Sequence, residues 1–129
     1  MSNKILLVTS PDDVAIDALR ILLVGLTEDQ SSVISDALTN LDQVPETVLY
    51  VATETDTVQW LIDKKLKSDL IIFNAEMDNG ELVGYLAAQS NAYFFGNLRY
   101  IGITTKRALF DRHQAEELLK EKITEHERS

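Results

Sequence analysis

The chain has 129 residues, 45% of them hydrophobic, which suits one globular domain burying roughly two-thirds of the surface its unfolded form exposes. Its 21 acidic and 12 basic residues leave a net charge of -9, a balance that repels phosphodiester backbones and anionic headgroups and so argues against nucleic acid or membrane as partner. The absence of cysteine excludes disulfides, thiolate metal sites and cysteine nucleophiles, no apolar run approaches the ~20 residues of a membrane span, and the start of the chain lacks the pattern of a signal peptide, so a cytoplasmic protein is expected.

In chain order, Lys4 to Thr9 (KILLVT) is a continuous apolar run closed by the turn residues Ser10-Pro11-Asp12-Asp13, and it predicts a first strand. Arg20 to Leu26 (RILLVGL) predicts a second. About ten residues lie between them, fewer than a parallel crossover normally needs, so an antiparallel hairpin, or else one short helical turn, is expected, with the N-terminal strand at a sheet edge. Thr27 and Gln30 have capping-box spacing, and Val33, Ile34, Ala37, Leu38 and Leu41 follow at helical spacing.

Pro45 stops that helix, and Thr47 to Thr53 (TVLYVAT) is β-branched and aromatic, hence a strand. Asp56 is the expected cap of a second helix that buries Val58, Leu61, Ile62 and Leu66. Next come a strand from Asp69 to Asn74, a loop through Asn79-Gly80, and a helix from Glu81 to about Gln89 that uses Leu82, Val83 and Leu86. The last cycle is a strand over Leu98 to Thr104 and a helix capped near Asp111, with Ala115, Leu118, Leu119 and Ile123 inside.

Alternating helices and nearly all-apolar strands predict an α/β three-layer sandwich whose mostly parallel sheet, of about five strands, is covered on both faces. Residues 1–19 supply the edge strand and its connection, 20–125 the βα repeats, and 126–129 a frayed tail. Right-handed crossovers gather the C-terminal strand ends on one edge, where such folds keep their working residues. Glu28, Asp29, Asn74, Glu76, Asp78 and Thr104 are the polar residues expected there.

Three strings resemble the receiver domain of response regulators: ILLVGLTEDQ its acidic-pair strand, DLIIFNAEMDNG its phosphoacceptor strand and loop, and YIGITT the strand with its switch hydroxyl. The likeness covers Arg20 to Thr105 and implies a flavodoxin-like fold. The phosphoacceptor position holds Asn74, whose amide is not a nucleophile of that kind, so the resemblance implies a pseudo-receiver that binds rather than reacts. ILLVGLTEDQ, LIIFNAE, VGYLAAQ and NAYFFGNLR also resemble a small family of T4-like tailed-phage proteins, which implies an accessory or assembly-chaperone role in a host cytoplasm.

The candidate sites each have a plain structural reading beside them. Glu28, Asp29, Glu76 and Asp78 could gather around Mg²⁺ in a phosphoryl-handling enzyme or degenerate phosphoreceiver, with Thr104 or Thr105 as the hydroxyl; otherwise the first two complement a helix dipole and the others lie in a loop. No phosphate-binding glycine pattern occurs, and His113 and His126 stand alone, so no metal or other cofactor is expected. Three consecutive aromatics in Ser90 to Gly96 are too many for so short a loop to bury. Either one or two of them cover the sheet edge as ordinary core, or the exposed remainder anchors a partner; on the second reading Tyr93, Phe94, Phe95, Asn97 and Arg99 are the expected partner-binding segment of a non-enzymatic interaction module. Its partner is another protein or, in a homodimeric structural protein, a second copy; the mixed charges of the last helix suit a solvated face.

Overall fold

A computed structural model describes residues 5–8 (backbone only), 18–41, 44–63, 68–96, 108–109 and 111–128. The chain runs β1 (Ile5–Val8), β2 (Leu19–Val24), α1 (Glu28–Asn40), β3 (Thr47–Ala52), α2 (Glu54–Ile62), β4 (Leu70–Asn74), α3 (Gly80–Ala87), β5 (Ala92–Phe95) and α4 (Arg112–Arg128). The strand order is β1-β3-β2-β4-β5 and all pairings are parallel. The body of this α/β sheet is β3-β2-β4-β5, an order compatible with a flavodoxin-like fold.

β1 departs from expectation. It does not form an antiparallel hairpin with β2; it lies parallel to β3 with Ile5 opposite Thr47, and β3 stands between it and β2. The two apolar runs are close in sequence, but β3 provides a neighbour of like composition to both. The connection between β1 and β2 falls outside the described residues.

Strands β2 to β5 divide their side chains between two cores. Leu19, Ile21 and Leu23 of β2 face α1 and α4, where they meet Ile34, Leu38, Leu118 and Leu119. Leu22 and Val24 face α2 and α3, packing in the cluster of Tyr50, Phe73, Leu82 and Leu86. Burial on both sides explains why the strands lack polar alternation. Aromatic contacts tie the second core together: Tyr50 meets Trp60 edge-on at 6.4 Å, and Phe73 lies 5.8 Å from Phe94.

The capping box of α1 forms as expected, with the Thr27 hydroxyl accepting from the Gln30 amide and the Gln30 side chain accepting from the Thr27 amide. For α2 the cap is Thr53 rather than Asp56; Asp56 sits three residues on and its amide donates to the Thr53 hydroxyl. The reading overlooked Thr53 because that threonine also ends a β-branched run. Ile62, expected inside, is 67% exposed at the end of α2.

The other revision is β5. The strand expected at Leu98 to Thr104 lies outside the described residues, whereas Ala92–Phe95, expected as loop, is a strand paired with β4 from Ile71↔Ala92 to Asn74↔Phe95. Beyond it, Ala108 bridges Phe94 in parallel, and the Leu109 amide donates to the Phe94 carbonyl at 2.7 Å.

Candidate functional site

From β2 the chain moves through α1 to β3 on one side, and from β4 through α3 to β5 on the other. The strand order therefore reverses between β2 and β4, and the crevice outside their carboxyl ends is where an open α/β sheet normally takes a ligand. In this chain the segment after β4 fills it.

Asn74 ends β4 and is half-buried. Its side-chain amide donates to the Gly25 carbonyl at 3.2 Å across the crevice, while its Oδ1 accepts from the Glu76 amide at 3.0 Å. The Asn74 carbonyl also accepts from the Met77 amide at 3.2 Å, and the Ala75 amide donates to the Phe95 carbonyl at 2.8 Å. One side chain thus joins the ends of β2 and β4, and backbone bonds extend the tie to β5. The amide donates and accepts in one geometry, which an ionised carboxylate cannot do.

Two glycines admit the segment. Gly25 has φ 63° and Gly96 φ 93°, conformations that L side chains rarely adopt. A Cβ on Gly25 would overlap the sulfur of Met77, and one on Gly96 would stand 2.7 Å from Oε2 of Glu76. Met77 and Glu76 thus lie over the bare backbones at the ends of β2 and β5. Asn79 then caps α3 by accepting from the Leu82 amide, and the Glu54 carboxylate accepts from the Asp78 amide at 3.2 Å.

The expected acidic residues share this edge without converging on a point. Glu28 and Asp29 are exposed in the first turn of α1, Glu76 and Asp78 are exposed in the β4–α3 loop, and among the described residues no group of three or more His, Asp or Glu side chains could hold a metal ion. First-turn carboxylates complement the helix dipole, which accounts for Glu28 and Asp29. Thr104 and Thr105 lie outside the described residues.

The aromatic segment is largely core. Phe94 is 2% exposed and packs towards α2 and α3; Phe95 is 6% exposed and packs towards α1 and α4. Neither is available to a partner as an exposed anchor, because consecutive residues of a strand covered on both faces are buried in turn. Half-buried Tyr93 lines a groove of about 530 Å³ with His113, Glu117, Leu118 and Glu121 of α4. Asn97 and Arg99 lie outside the described residues.

On the opposite face, between α2 and α3, a groove of about 320 Å³ is lined by Leu61, Ser68, Ile71, Tyr85, Gln89 and Asn91. Tyr85 is 51% exposed there. Sequence reasoning placed Ile62 inside and assigned Tyr85 no role, because helical spacing marks a buried face without showing how far it extends along a short helix.

No family model, curated protein or solved structure matches the chain. The likenesses to receiver domains and to phage proteins therefore rest on residue strings alone.

Proposed function

We propose that this chain is a non-enzymatic protein-binding module of the cytoplasm that engages another protein through its α2–α3 face. The observation that carries the reading is the exposure of Tyr85 in the α2–α3 groove, with Ile62 also exposed at the end of α2. Large apolar and aromatic side chains at a concave surface are the usual anchors of protein interfaces. The strand-end crevice supports the non-enzymatic part of the proposal: Asn74, Glu76 and Met77 occupy it, and its carboxylates do not gather around a common point.

The test is co-purification of a tagged protein from cells that express it naturally, comparing wild type with a Tyr85→Asp, Ile62→Asp double variant. Both positions are exposed, so the variant should retain its circular dichroism spectrum and its melting temperature. A stoichiometric partner held by wild type and lost by the folded variant supports the reading. A partner held equally by both moves the interface elsewhere, and sedimentation of wild type alone distinguishes a second copy from a different chain.

A further inference from the structure

We propose that Met77 is an oxidation-sensitive latch: its thioether, seated on the bare backbone of Gly25, holds the β4–α3 segment over the strand ends, and conversion to the sulfoxide releases it.

The argument begins with sulfur chemistry. The chain has no cysteine and two methionines, Met1 and Met77, so any sulfur-based response to oxidants resides in these thioethers. Met77 is half-buried, which leaves a route to solvent, and it packs against the apolar cluster that contains Val24, Phe73 and Leu82. Its Sδ and Cγ are the atoms nearest the place where a Gly25 side chain would be, so the fit depends on the absence of a Cβ.

Peroxide oxidises a thioether by two electrons. A sulfur lone pair attacks one peroxide oxygen, the O–O bond breaks as the S–O bond forms, and the departing hydroxide takes the proton of the new S–OH group, leaving the sulfoxide and one water. The product carries a polar oxygen on a sulfur that had rested against the Gly25 backbone and the apolar cluster, where burying that oxygen is costly. Leaving the seat restores its hydration. Met77 follows directly on the residues Asn74 ties down, so its departure pulls on the Glu76 and Met77 amides and exposes the ends of β2 and β5. The step is reversible, because methionine sulfoxide reductases return the thioether at the expense of a dithiol.

The experiment treats the full chain with hydrogen peroxide, follows oxidation at Met1 and Met77 by peptide mass, and measures amide exchange before and after. Oxidation at Met77 is expected to speed exchange at least about tenfold at Ala75, Glu76 and Met77 while the central amides of β2 and β4 keep their protection. Treatment with reductases for both sulfoxide epimers should restore it. A Met77→Leu variant, similar in volume and inert to peroxide, should show no such change although its Met1 oxidises. Any of three results overturns the proposal: Met77 remaining unoxidised after Met1 is fully converted, oxidised Met77 with unchanged exchange or a uniform rise across the sheet, or the same response in Met77→Leu.

Discussion

Asn74 illustrates how one side chain can separate two chemistries that share a backbone position. Its amide nitrogen donates to the Gly25 carbonyl and its oxygen accepts from the Glu76 amide, so the residue fastens the crevice shut. An aspartate would keep the second bond, lose the first, and aim a negative charge at a carbonyl oxygen. Asn74→Ala should cost about 1–2 kcal/mol in urea unfolding, through two lost hydrogen bonds at a half-buried site. Asn74→Asp should cost at least as much at neutral pH. Its deficit relative to wild type should shrink once the pH is low enough to protonate the introduced carboxyl, because a protonated oxygen can again donate to the Gly25 carbonyl. An Asp variant more stable than wild type at neutral pH would show that the crevice accepts a charge.

At the scale of elements, what was legible depended on whether a pattern was local. The α1 capping box, the buried faces of α1 and α4, and strands β2, β3 and β4 all follow from spacing within short windows. β5 did not, because Ala92–Phe95 has only four residues and becomes a strand through its pairing with Ile71 to Asn74. Its aromatic-rich composition was the available signal, and it pointed to partial burial over a sheet edge or an exposed anchor without revealing a strand covered on both faces. β1 likewise took its neighbour from tertiary context, since connection length could not reveal that β3 would come between it and β2. The contrast between the two aromatic sites is measurable. Phe94→Ala empties a site in contact with Phe73 and should cost about 3–5 kcal/mol, whereas Tyr85→Ala on the exposed face of α3 should stay within about 0.5 kcal/mol. Equal losses in chemical denaturation would mean that Tyr85 is core and would remove the main support for the α2–α3 interface.

For the whole molecule, the net charge of -9 matters less than where the topology puts it. Parallel strands aim every helix N-terminus of the β2–β5 repeats at one edge, and the carboxylates in those first turns, Glu28, Asp29, Glu54, Asp56 and Glu81, gather there with Glu76 and Asp78. Sequence predicted this gathering for the residues after β2 and β4, but whether the carboxylates would meet at a point or spread along a line depended on strand order. β3 and β5 are three strand spacings apart, about 14 Å at about 4.8 Å each. That separation lies within the Debye length of about 30 Å at 0.01 M salt and beyond the length of about 8 Å at 0.15 M. Repulsion along the edge therefore acts at low salt and is screened at moderate salt, so raising NaCl across that range should increase the melting temperature by roughly 2–4 °C, on the order of 1 kcal/mol. A row of separated carboxylates responds to ionic strength, whereas a convergent site responds to the ion itself. MgCl₂ at matched ionic strength should therefore reproduce the NaCl curve. A saturating rise in melting temperature at submillimolar Mg²⁺, where ionic strength barely changes, would instead reveal a bound cation and return the strand-end edge to phosphoryl chemistry.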